Sequence, residues 1–213
     1  MDFANGQIYH VFNRGNNSQT IFFSPENYLF FLEKLRNHIL PHAAILAWCL
    51  MPNHFHLMIS VNCLEVEIGE RTNVDASEGF TLSETLTKPS KKRTLNDSIG
   101  IMLRSYSRAI QKQQKITGSL FQKETKALCL TEFQSISPAY FNSHFGMMGN
   151  LDLPETNYLN VCFDYIHINP VNGKLVNNPE DWEFSSYRDY YSGRKGKLVN
   201  RALAKELGLI DVS

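Results

Sequence analysis

The sequence predicts an α+β fold of the ferredoxin-like, split βαβ kind: an antiparallel sheet with both helices on one face, followed by a C-terminal helical tail. Three observations carry this expectation. Up to Leu130 the patterns run strand, helix, strand, strand, helix, strand, which is the element order of that fold. Two of the strands are separated by a Pro-Asn pair, the mark of an antiparallel hairpin. The 213 residues suffice for one good core with an appended tail.

Gln7 to Arg14 is β-branched and aromatic and is closed by the turn-forming Gly-Asn-Asn-Ser, so it reads as the first strand. Ser24-Pro25-Glu26 then supplies an N-cap, a first-turn proline and an acidic first turn. Tyr28, Leu29, Leu32, Leu35 and Ile39 recur at helical spacing, which carries the first helix to about Leu40, where Pro41 ends it. Ala43 to Leu50 is a continuous apolar run of strand length, and the next strand begins directly after Pro52-Asn53. From Cys63 to about Arg93 the periodicity is lost, and acidic residues give way to the basic cluster Lys88 to Arg93; this reads as a long solvated loop. Leu95 opens a second helix with Ile99, Met102, Leu103, Tyr106 and Ile110 on its apolar side and Arg104, Arg108, Lys112 and Lys115 on or near the polar one, with Gly118 marking its end. Ser119 to Leu130 reads as the last strand, polar where it starts. A linker from about Ser135 to Thr156 precedes a helical stretch from Asn157 to Ile168. The expected organisation is a core of residues 1–134, with an inserted loop at about 63–93, and a linker and tail at 135–213 belonging to the same domain.

Hydrophobic residues make up 43% of the chain and charged residues 20%, a globular composition. The formal net charge is zero, which argues against coating duplex DNA through bulk positive charge and leaves room for a local basic channel. The four cysteines, Cys49, Cys63, Cys129 and Cys162, lack the C-x-x-C spacing and read as reduced thiols of a cytoplasmic protein. The chain begins without a signal-peptide pattern and holds no apolar run near the ~18 residues of a spanning helix, so a cytoplasmic location is expected.

The stretch Met51-Pro-Asn-His-Phe-His-Leu-Met-Ile59 carries the first candidate chemistry. In a strand, alternation puts His54, His56, Met58 and Ser60 on one face and Phe55, Leu57, Ile59 and Val61 on the other. Two imidazoles then share a face, where they could bind one metal ion; two ordinary strand histidines fit the same pattern. In the split βαβ arrangement the pair is expected on the open face of a central strand. On the later helix, Tyr165 and Asn169 are four apart and point the same way, and Pro170 is expected to put Asn169 at the helix end. A buried structural tyrosine fits Tyr165 equally well at this point. His167, on the same helix, points away from Tyr165.

Four segments in order carry a resemblance: His10-Val-Phe-Asn-Arg-Gly15; Met51 to Ile59; Gly118-Ser-Leu-Phe-Gln-Lys123; and Tyr165-Ile-His-Ile-Asn-Pro-Val171 followed by Asp181-Trp-Glu-Phe-Ser-Ser-Tyr187. Over roughly residues 6–190 the sequence resembles the single-tyrosine HUH transposases of insertion sequences, and its last elements resemble the REP-associated tyrosine transposase branch. The resemblance implies an enzyme that cuts and rejoins single-stranded DNA through a 5′-phosphotyrosine. It maps the nucleophile onto Tyr165 and the metal ligands onto His54, His56 and Asn169, with a divalent cofactor, Mg²⁺ or Mn²⁺. Imidazoles suit Mn²⁺ or Zn²⁺ better than Mg²⁺, although Mg²⁺ is the ion expected of the family. Single-stranded or hairpin DNA is the expected partner, with Arg14, Arg104, Arg108 and Lys123 as candidate contacts and a homodimer as a candidate assembly. The chain departs from a compact core of this kind in its long 63–93 excursion and its long linker. Two other readings fit the same residues: a domesticated DNA-binding module without strand transfer, and a metal-dependent phosphoesterase.

Overall fold

The computed structural model describes residues 1–68, 91–131, 142–143, 146–147 and 158–210. A four-stranded antiparallel sheet is built from β1 (Ile8–Arg14), β2 (Ala43–Met51), β3 (His54–Val61) and a later short strand, Lys126–Cys129. The first helix, α1 (Pro25–His38), follows Ser24, which with Asn27 forms a capping box. Between β3 and the second helix lie β4 (Glu65–Ile68) and β5 (Lys91–Thr94); α2 (Leu95–Gln114) comes next, and Lys126–Cys129 is β6. The strand order is β2-β3-β1-β6, and every pairing is antiparallel. Because β1 and β2 both run against β3, they are parallel to one another with β3 inserted between them, which is the split βαβ topology.

On one face of the sheet Phe55, Leu57, Ile59 and Val61 of β3 pack with Phe31, Leu35 and Ile39 from the α1 side and Ile99, Met102, Tyr106 and Ile110 of α2. The other face is not open, which corrects the expectation for the histidine pair. It is covered by α3 (Tyr158–Asn172) and by the tail that contains α4 (Tyr187–Tyr191) and α5 (Arg201–Glu206). The reason lies in the sheet itself: Leu46, Ala47, Cys49 and Met58 make this face apolar, and Cys162, Phe163 and Ile166 of α3 with Ala204 and Leu209 bury it.

The tail also occupies the outer edge of β2. Leu50 N donates to Phe184 O at 2.9 Å and Ser186 N to Trp48 O at 2.8 Å, while Asn200 N donates to Ile45 O at 2.8 Å. Trp182 Nε1 reaches Leu50 O at 3.0 Å. The backbone groups that an edge strand would otherwise leave open are thus paired within the chain.

Three element boundaries differ from expectation. The ends of the predicted loop pair as the β4–β5 ladder, in which Glu67 faces Lys92, and Lys92 Nζ lies 3.6 Å from Glu65 Oε2. The acid-to-base change along the sequence is therefore cross-strand complementarity at its two ends; residues 69–90 lie outside the described residues. Helix α3 does not stop at Asn169 but runs through Pro170 to Asn172, because a proline in a last turn forfeits only one backbone bond. Beyond it, Gly173 N donates to Asn169 O at 2.8 Å and Leu175 N to Pro170 O at 2.9 Å. The last core strand is only Lys126–Cys129. Upstream of it the Asn13 side chain takes Gln122 O and Thr125 Oγ1, so this segment bends away from regular pairing. The predicted linker at 135–156 and Asn157 fall almost wholly outside the described residues.

Candidate functional site

The site forms where α3 crosses the inner strands β3 and β1. Within β3, His54 pairs with Arg14, His56 with Phe12 and Met58 with His10, so His10 stands diagonally next to His56 on the same face. The His54 and His56 rings are 5.0 Å apart at 87°. From α3, one turn of helix presents both remaining candidates: the Tyr165 ring lies 5.4 Å from that of His56 and 6.0 Å from that of His10, and Asn169 Oδ1 lies 3.1 Å from His54 Nε2. All four residues are between 4% and 7% exposed. The structure therefore gathers Tyr165, His54, His56 and Asn169 from segments about a hundred residues apart in sequence into one buried cluster.

Each imidazole is held through Nδ1. His54 Nδ1 lies 2.7 Å from Asn53 Oδ1, and Asn53 is fixed in turn by Asn53 Nδ2 donating to Ser18 O and by Gly15 N donating to Asn53 O at 2.7 Å. Only glycine fits at position 15, where the turn folds back so closely that a Cβ would sit 2.0 Å from Gln19 O. His56 Nδ1 lies 2.9 Å from His10 Nε2, and these two rings stack at 25°. His10 opens one of the segments that carry the resemblance, but the motifs give it no role among the site residues. A lone histidine on a strand gives no signal of its own, and only the register of β1 on β3 shows that it abuts His56.

Burial sets the protonation of these rings. It pulls His54 down to about 4, against the Asn169 hydrogen bond, which raises it, and with the Arg14 charge, which lowers it further. Burial likewise takes His10 to about 3, and it carries His56 well below the usual range, with repulsion from His10 and His54 adding to the effect. At neutral pH the imidazoles are uncharged, the form that ligates metal ions. His54 Nε2 meets Asn169 Oδ1 as a hydrogen bond when the ring proton is on Nε2; in the tautomer with the proton on Nδ1 toward Asn53, the same nitrogen and oxygen are two acceptors facing each other. A divalent cation reconciles two such acceptors, and ligands bound at ~2.1 Å and at right angles stand about 3 Å apart. The donor set of two imidazoles and one amide therefore fits a divalent ion; among the described residues no group of three or more His, Cys, Asp and Glu could hold a metal.

The basic candidates separate into two places. Arg104, Arg108 and Lys123 line a cleft of about 500 Å³ between α2 and the Ser119–Thr125 segment, together with Asn13, Gln111 and Gln122. Arg14 is not among its lining residues; it sits opposite His54 in the ladder, with its guanidinium on Ser18 Oγ. Asn13 and Arg14 are consecutive on β1 and point to opposite faces, so cleft and histidine cluster flank one strand end. His167 faces away from the cluster, its Nε2 lying 2.7 Å from Ser186 Oγ.

Fold and cluster together define a split βαβ domain whose second face is closed by a tyrosine-bearing helix over two histidines. No family model matches the chain, and no curated protein matches it. Among solved structures the chain is similar to the REP-associated tyrosine transposase bound to a REP hairpin, at 14% sequence identity over 94% of this chain and 92% of that one, with a TM-score of 0.49. No helix among the described residues is long and apolar enough to cross a membrane.

Proposed function

We propose that the protein is a metal-dependent transposase of single-stranded DNA, which cleaves and rejoins strands through a 5′-phosphotyrosine on Tyr165. The observation that supports this most is the meeting of Tyr165 with His54, His56 and Asn169, the four residues that the motif resemblance pairs as nucleophile and ligands. His54 Nε2, His56 and Asn169 Oδ1 would hold the ion. When bound, a divalent ion neutralises charge on the non-bridging phosphate oxygens and so favours in-line attack.

The chain's own residues supply the rest. Tyr165 forms the bond to phosphorus as the 3′ oxygen of the neighbouring nucleotide leaves, and the covalent product keeps the energy of the broken phosphodiester. A 3′-OH from another strand then displaces the phenol, which joins DNA without a nucleotide cofactor. Tyr165 is buried, so a strand must gain access to it before the reaction. Arg14 at the histidine end and the Arg104, Arg108 and Lys123 cleft on the other side of the same strand end would bind phosphates along a single strand or a hairpin. Core 1–134 and tail 135–213 act as one domain, since neither holds both the histidines and the tyrosine.

The deciding experiment uses a labelled oligonucleotide and Mn²⁺. Wild type should become covalently attached to the 5′-phosphate end of the fragment lying 3′ of the cut, and Tyr165→Phe should bind the oligonucleotide with no covalent adduct. Undiminished attachment in the variant would reject Tyr165 as nucleophile.

A further inference from the structure

We propose that His10 is a positioning residue for this site: its Nε2 accepts the Nδ1–H of His56 and so leaves the lone pair of His56 Nε2 available to a divalent ion. The inference rests on the metal-dependent reading above and adds to it a residue that the motifs do not assign. Three observations carry it. The two nitrogens are 2.9 Å apart, and both rings are buried, so this is a hydrogen bond between neutral imidazoles with a single proton in it. That proton has two possible owners. Only ownership by His56 Nδ1 frees the His56 Nε2 lone pair; if His10 owns it, the remaining proton of His56 sits on Nε2 and blocks ligation.

The second observation concerns what His10 otherwise does. It is 3% exposed, and its Nδ1 is buried with no hydrogen-bond partner among the described residues. With Nε2 accepting, the proton of His10 sits on that Nδ1, a buried N–H without a partner; packing alone does not call for such a cost, and an aromatic ring without polar atoms would avoid it. The third is the parallel at His54, whose Nδ1 is taken by the Asn53 amide oxygen at 2.7 Å. Both imidazoles of the pair are gripped by the same ring nitrogen, one by the turn that precedes β3 and the other by the neighbouring strand, as partners of metal-bound histidines typically are.

The test compares the full chain with His10→Phe, which keeps an aromatic ring and removes the acceptor, and His10→Gln, which keeps an acceptor at similar reach. Mn²⁺ affinity is read by electron paramagnetic resonance, without DNA. His10→Phe should bind Mn²⁺ about 10- to 100-fold more weakly than wild type, and His10→Gln should recover most of that loss. Nitrogen-15 NMR of the Zn²⁺-loaded wild type should show His56 protonated at Nδ1. Wild-type affinity in His10→Phe, or a proton on His56 Nε2 in the loaded protein, would overturn the assignment. Should His10→Phe not fold, the glutamine variant and the wild-type spectrum still decide. A wild type that binds Mn²⁺ in this manner but forms no DNA adduct would sink the transposase reading and leave this one standing, whereas a wild type that binds no Mn²⁺ would sink both.

Discussion

Asn169 is the residue at which the site's electrostatics are most exposed to test. Two neutral imidazoles and a neutral amide bring no negative charge to a divalent ion, so ion binding there depends on the number and geometry of the three donors. Replacing the amide oxygen by a carboxylate adds the missing charge; removing it takes away one donor of three. Asn169→Ala should therefore weaken Mn²⁺ binding by at least about tenfold, and Asn169→Asp should strengthen it, both measurable by calorimetry on DNA-free protein. Equal affinities in the three proteins would remove Asn169 from the ligand set. The residues of this cluster were unequally visible beforehand. His54 and His56 follow from strand alternation, and Tyr165 and Asn169 from the four-residue helical repeat, because these are periodicities within one element. His10 and Asn53 act across elements or through a turn, and pairing register is not written in local sequence.

At the scale of elements, the position of α3 is fixed from behind. Ser186 Oγ accepts from Trp48 N at 2.9 Å and lies 2.7 Å from His167 Nε2, so one hydroxyl ties the tail, β2 and α3 together on the side of the helix away from Tyr165. Ser186 is fully buried and His167 is 3% exposed, and neither can turn to solvent for a substitute partner. Ser186→Ala leaves a strand N–H and an imidazole nitrogen without partners, which costs about 2–6 kcal/mol at 1–3 kcal/mol per stranded group. Urea unfolding should show that loss, and one below about 0.5 kcal/mol would mean that α3 is not anchored here. The elements whose signals are local, a serine with proline at a helix start or an unbroken apolar strand, are those that the sequence placed within a few residues. The β4–β5 ladder escaped because its partners are 23 to 29 positions apart, Ile68 with Lys91 and Glu65 with Thr94, and the passage of α3 through Pro170 escaped because the turn beyond the proline is held by Gly173 and Leu175.

For the whole molecule, the closure of both sheet faces has a consequence in acid. His10 and His167 are brought down to about 3 and His54 to about 4, and His56 is also carried well below its ordinary range, in each case chiefly by burial. In the unfolded chain these rings protonate near pH 6.5. Between that value and the folded ones the unfolded state binds more protons, so stability is fully present above about pH 6.5 and falls as the pH drops toward 4. One pH unit into that window costs on the order of 1 kcal/mol per histidine. Four such rings acting together are then comparable with much of the ~5–15 kcal/mol that keeps an ordinary domain folded. The midpoint of urea unfolding should hold steady from pH 8 to 7 and drop steeply between pH 6.5 and 5. His167→Gln, which removes one titrating ring on the side of α3 away from Tyr165, should flatten the drop by about a quarter while leaving the others in place. A midpoint that stayed level down to pH 5 would mean that these imidazoles reach water or a counter-charge in the folded protein, and with that the neutral ligand set on which metal binding and the His10–His56 hydrogen bond both depend would no longer hold.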